Sequence, residues 1–107
     1  MKKKGAILTD FDLMCAIIYL LCMYNTPTSE TEILMGSPLS IRLRVKKLLC
    51  LHSQGNIPIF RKERRNGVWY YWINPEVYSA CIDLLAEENF IKFEDACKIL
   101  QRKKPVK

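Results

Sequence analysis

From Leu13 to Tyr24 every side chain is apolar or aromatic. Thr9 or Asp10 can cap a helix here, and Asp10 and Asp12 place acids in the first turn, where the helix dipole favours them. The pattern predicts a first helix running to about Asn25. A helix that is apolar all round must be covered all round, so it is either a central helix wrapped by the others or one whose outer face docks a second subunit. Thr26-Pro27-Thr28 then breaks the helix in an extended conformation. Ser29 and Glu32 form an S-x-x-E capping box that opens a short second helix, which stops at Gly36. Ser37 with Pro38 restarts a helix at once, because Ser caps and Pro suits the first helical position. This third helix is predicted from Pro38 to about Ser53. At about 100° per residue, Ile41, Val45, Leu48, Leu49 and His52 share a core face. Ser40, Leu43, Lys46 and Lys47 lie opposite, flanked by Arg42 and Arg44. Gly55 is placed to close the helix as a left-handed cap.

The periodicity then changes. Ile57 to Arg65 and Val68 to Ile73 read as strands joined by Asn66-Gly67, the strongest short-range hairpin signal. Pairing Arg65 with Val68 sets Arg64 opposite Trp69, Lys62 opposite Tyr71 and Arg61 opposite Trp72. Pro58 puts the first strand at an edge. Asn74-Pro75 opens another helix, with Val77, Tyr78, Cys81, Ile82, Leu84 and Leu85 on its apolar side. Phe93, Ala96, Cys97 and Leu100 predict a last helix from about Phe93 to Arg102. The expected fold is α+β and mainly helical, a single domain over residues 1–107. Residues 1–8 form a basic arm, 9–90 the core, and 91–107 the last helix and a basic tail.

Charge adds a location. The chain carries 17 Lys and Arg against 11 Asp and Glu, a formal charge of +6. Between Arg42 and Arg65 there are eight basic residues and one acid, whereas the remainder has nine basic and ten acidic residues. The excess thus sits in one quarter of the chain, the footprint expected of a surface for a polyanion.

The five cysteines and the lone His52 show no C-x-x-C pair, so no metal site is expected. Four of the five cysteines fall on apolar helical stripes, which implies buried thiols and a reducing, intracellular (cytoplasmic) setting as the default; intracellular proteins of hyperthermophiles, which carry disulfides, stay open as a source. The apolar run after Lys2-Lys3-Lys4 is interrupted by Asp10 and Asp12. At about 12 residues it is too short to span a bilayer, so neither a signal peptide nor a membrane partner is expected.

Helix, extended segment, helix, Gly-containing turn, basic helix and basic hairpin follow one another from Asp10 to Leu85. In this order the chain resembles the winged-helix (winged helix-turn-helix) family of DNA-binding domains, a three-helix core with a β-hairpin wing, here followed by one or two further helices. The residues carrying the resemblance run from Thr28-Ser29-Glu30 through Gly55 and over the hairpin Ile57 to Ile73. The resemblance implies that the helix from Pro38 enters the major groove of double-stranded DNA while the hairpin tip reaches phosphates or a neighbouring groove. The DNA-binding candidates are then Ser40, Arg42, Leu43, Arg44, Lys46 and Lys47 on the helix and Arg61, Lys62, Arg64 and Arg65 on the hairpin. Ser40, Arg42, Leu43 and Lys46 are placed to meet base edges, where Arg reads guanine and an apolar side chain meets the thymine methyl. The implied function is sequence-specific transcriptional regulation, as a homodimer through the first and last helices.

Other readings of the same residues stay open. Leu39 and Leu43 beside the cations also suit a protein-interaction module. Trp69 to Trp72 also suit stacking on single-stranded nucleic acid, although cross-strand packing against Arg stems accounts for them as well. No Gly-rich phosphate loop, G-x-S-x-G elbow or H-E-x-x-H occurs, so neither catalysis nor a cofactor or small-molecule ligand is expected.

Overall fold

In the computed structural model the described residues are 9–24 and 26–92. The first helix, α1, spans Asp10–Met23. Thr9 and Asp12 close a reciprocal capping box, with the Asp12 N–H donating to Thr9 Oγ1 at 3.1 Å and the Thr9 N–H to Asp12 Oδ2 at 2.9 Å. Leu13, Met14, Cys15, Ile17, Ile18, Leu21 and Cys22 are all buried. α1 is therefore the central helix, and its apolar circumference is mostly answered within the chain. Phe11 and Tyr19 of α1 and Tyr24 at its end are exposed.

Thr28 and Ser29 form a short strand, β1, where the sequence predicts only an extended break. A two-residue strand is too short to leave a periodicity, and its pairing partner lies some forty residues away at Tyr70 and Tyr71. Ser29 also caps α2, Glu30–Met35, and its capping box with Glu32 forms as expected. The turn after α2 departs from expectation. The Ser37 hydroxyl donates back to the Ile33 carbonyl at 3.0 Å instead of capping the next helix. Pro38 is extended in ψ, so residues Leu39–Ile41 make one 3-10 turn before α3 begins at Arg42 and runs to Leu51. The single helix predicted from Pro38 to Ser53 is thus a 3-10 turn followed by a ten-residue α-helix. Val45, Leu48 and Leu49 of its core face are buried, while Ile41 and His52 are half-buried.

His52 takes part through its backbone, its carbonyl accepting from the N–H groups of both Ile59 and Phe60. Gly55 does have a positive φ of 98°. It lies beyond the helix end, in the turn leading to the hairpin, and is not the helix cap the sequence predicts. β2 covers Phe60–Arg65 and β3 covers Val68–Ile73. Their register is the expected one, from Phe60 opposite Ile73 to Arg65 opposite Val68. Asn66 and Gly67 have φ of 51° and 79°, the paired positive values of a type I′ turn. The strand order is β1-β3-β2, antiparallel throughout, so β2 is an edge strand.

Asn74 accepts from the Glu76 N–H at 3.0 Å as the expected cap, but the helix predicted to open at Pro75 begins as a 3-10 turn, Pro75–Val77, before α4, Tyr78–Glu87. Asn89 ends α4 with φ 64°. The Phe90 N–H reaches the Leu85 carbonyl and the Asn89 N–H that of Ala86, the two bonds of a Schellman motif with Asn in the glycine's place. Cys81, Ile82 and Leu85 face the core, which also takes Ile33, Phe60, Tyr71 and Ile73. α1 packs against α3, α4 and β3, so one core joins helices and sheet in an α+β domain. Among the described residues no helix is long and apolar enough to cross a membrane. The predicted last helix and the basic ends lie outside the described residues.

Candidate nucleic-acid interface

α3 is amphipathic by sequence, with Val45, Leu48 and Leu49 committed to the core, and this turns Leu43, Lys46, Lys47 and Cys50 outward. Ser40 in the preceding 3-10 turn is exposed on the same side as Leu43, three residues on. The two arginines of α3 are drawn elsewhere. Arg42 is half-buried and its Nε donates to the Ser37 carbonyl at 3.0 Å, bracing the turn between α2 and α3. Arg44 reaches sideways to Asp10 of α1, Nη2 to Oδ1 at 3.0 Å. Of the six candidates on this segment, Ser40, Leu43, Lys46 and Lys47 share the outward face, while Arg42 and Arg44 serve contacts within the fold.

The hairpin divides its cations by strand alternation. Phe60, Lys62 and Arg64 share one face with Ile73, Tyr71 and Trp69, the inner face whose base is core. Toward the tip that face becomes cationic. Lys62 Nζ stands 4.6 Å from the centre of the Trp69 ring and the Arg64 guanidinium carbon 5.6 Å from it. Each such contact contributes ~0.5 to 1 kcal/mol when exposed and fixes where the charge is held. Arg61 and Arg65 point to the other face. Arg61 lies 3.7 Å from Glu76, and Arg65 pairs with Glu63 at 3.0 Å and stacks 5.2 Å over Tyr70. The exposed pairs are weak in energy, but they mark the outer face as one where positive charge is partly cancelled.

Tyr71 is buried on the inner face of the hairpin. Burial pushes its phenol up to about 12, and the charges of Glu30 and Cys50 add to the shift. The end of α3 is joined to the base of the hairpin through the His52 carbonyl, which accepts from the Ile59 and Phe60 N–H groups. Lys62, directly opposite Tyr71, and Arg64 beyond it carry the inner face toward the hairpin tip. Among the described residues no ion pair engages Lys46, Lys47, Lys62 or Arg64. From Ile33 to Lys62 the chain contains no Asp or Glu at all, so no carboxylate on that segment offsets these cations.

Sequence reasoning placed all ten candidates by strand parity and helix angle but missed the tethers of Arg42 and Arg44. The Ser37 backbone carbonyl leaves no sequence signal, and Asp10 is 34 positions from Arg44. Trp69 is packed by cross-strand cations, the arrangement its pairing with Arg64 foretold. Among the described residues no group of three or more His, Cys, Asp or Glu is placed to hold a metal ion.

Fold and surface together define an α+β domain that carries a basic helix face and a β-hairpin whose inner face is cationic toward its tip. No family model matches the chain, and no curated protein and no solved structure matches it either.

Proposed function

We propose that this chain is a winged-helix protein that binds double-stranded DNA sequence-specifically as a transcriptional regulator. α3 enters the major groove, and Lys62 and Arg64 on the hairpin hold the flanking phosphates. The element order supports the reading, as does the pairing of β1 with β3, which ties the segment before α2 to the hairpin. The single observation that carries it is that Lys46 and Lys47 on α3 and Lys62 and Arg64 on the hairpin stand outside every ion pair among the described residues. Clustered cations attract phosphates regardless of sequence and make binding steeply salt-dependent. Sequence preference then comes from the outward side chains of α3 at base edges. Fluorescence anisotropy on random and selected duplexes over a salt series tests this. The reading requires tighter binding to selected duplexes and a steep salt slope on both; no duplex binding at low salt refutes it.

Homodimerisation belongs to the same proposal, with exposed Phe11 and Tyr19 of α1 and Tyr24 at its end as the contact. Sedimentation equilibrium at micromolar concentration measures it, and a monomer would leave these residues without the assigned role. A second reading, a protein-interaction module, is favoured by the exposure of Leu39 and Leu43.

A further inference from the structure

The geometry points to a specific class of target: Leu39 and Leu43 meet thymine 5-methyl groups, so the duplexes preferred carry A·T pairs where the two leucines make contact. This rests on the DNA-binding function proposed above and names its substrate.

Leu39 is 77% exposed and Leu43 75%. Leu43 shares the exposed face of α3 with Lys46 and Lys47, and Leu39 lies in the 3-10 turn that precedes it. The side chains that read bases by paired hydrogen bonds are Arg or Lys for guanine and Asn or Gln for adenine. Along this segment Arg42, Arg44 and Gln54 each already make a contact within the fold. Arg42 Nε is bonded to the Ser37 carbonyl and Arg44 Nη2 to Asp10, each at 3.0 Å. Gln54 donates to the Cys50 carbonyl at 3.1 Å. What the helix presents outward is a leucine ridge flanked by lysines, with no acid from Ile33 to Lys62. An apolar side chain reads a base through the thymine methyl, the one apolar group in the major groove. The charge balance selects a polyanion to carry that group.

The experiment begins with duplexes selected from a random pool, in which each thymidine is replaced in turn by deoxyuridine, deleting only the methyl. Binding is read by anisotropy at fixed salt. One or two positions should weaken by about fourfold, the loss expected for one buried methyl group. Leu43→Ala should abolish the difference between thymidine and deoxyuridine at one of these positions, and Leu39→Ala at the other, each with the salt slope unchanged. Both leucines are exposed, so neither variant threatens folding, which circular dichroism verifies. Duplex binding that is indifferent to every methyl, or a thymidine preference that survives both variants, overturns this inference alone and returns the leucines to a protein contact. Absence of any duplex binding overturns it together with the proposed function.

Discussion

The Asn74 side-chain amide donates to the Pro58 carbonyl at 2.7 Å from a position with no solvent exposure. The Asn74 backbone N–H bonds the Ile59 carbonyl at 2.9 Å, and its Oδ1 accepts from Glu76. One residue thus closes the base of the hairpin, ends β3 and starts the turn into α4.

Asn74→Ala removes a cap and strands a buried carbonyl. A cap is worth ~1 kcal/mol and an unsatisfied buried acceptor ~1 to 3 kcal/mol, so a loss of about 2 to 4 kcal/mol is expected. Urea unfolding followed by circular dichroism measures it. A loss below about 1 kcal/mol would mean that water replaces both contacts.

The glycines of the two turns should behave oppositely. Gly67 has φ of 79°, and a Cβ there would meet nothing within 4 Å, so Gly67→Ala should cost only the backbone strain of ~1 to 2 kcal/mol. Gly36 is helical, with φ of −80°, and its Cβ would lie 3.4 Å from the Glu32 carbonyl oxygen. Gly36→Ala should therefore be near neutral, because it also restricts the unfolded chain. Thermal melts of the two variants compare them directly.

Alkali should destabilise the domain through two buried acids. Burial raises Cys81 from 9.0 to about 11, and burial with the Glu30 and Cys50 charges raises Tyr71 from 10.0 to about 12. Both groups are neutral when protonated and hold their protons more tightly folded than unfolded. Their contribution is complete below pH 9 and is lost as pH climbs through 9 to 12. Urea midpoints at pH 8, 10 and 11 should fall in that order. Tyr71→Phe should flatten the decline above pH 10; an unchanged slope would contradict the assignment.

The cations should separate by salt dependence. Each phosphate contact contributes about −0.9 to the slope of log affinity against log salt. Lys46→Ala, Lys47→Ala, Lys62→Ala and Arg64→Ala should each reduce the slope by about 1. Arg44→Ala and Arg61→Ala, which remove side chains already facing Asp10 and Glu76, should leave it unchanged. Arg42→Ala should lower stability by ~1 kcal/mol through the lost bond to Ser37 more than it alters base preference. Anisotropy over a salt series, with melts alongside, sorts the seven variants.

Local signals were legible wherever a short stretch decides its own conformation. The cap before α1, the capping box of Ser29, the Asn66-Gly67 turn with its full register, and the cap at Asn74 all act within about four residues. The break at Ile41 was not legible, because Ser37 can either cap forward or bond back to Ile33 and the sequence permits both. The pairing of Thr28 with Tyr71 was hidden for a different reason. It depends on two residues that meet only after the hairpin has folded against α2.

What the sequence determined alone was the set of outward faces: core-facing Val45, Leu48 and Leu49 leave Leu43, Lys46 and Lys47 to solvent, and alternation separates Lys62 and Arg64 from Arg61 and Arg65. Periodicity does that, since one buried face dictates the orientation of every neighbour on its element. Which of those cations remain available was decided only by tertiary structure. Charges such as Arg44 and Asp10 are distant in the chain, and their pairing exists only once α1 and α3 share a core.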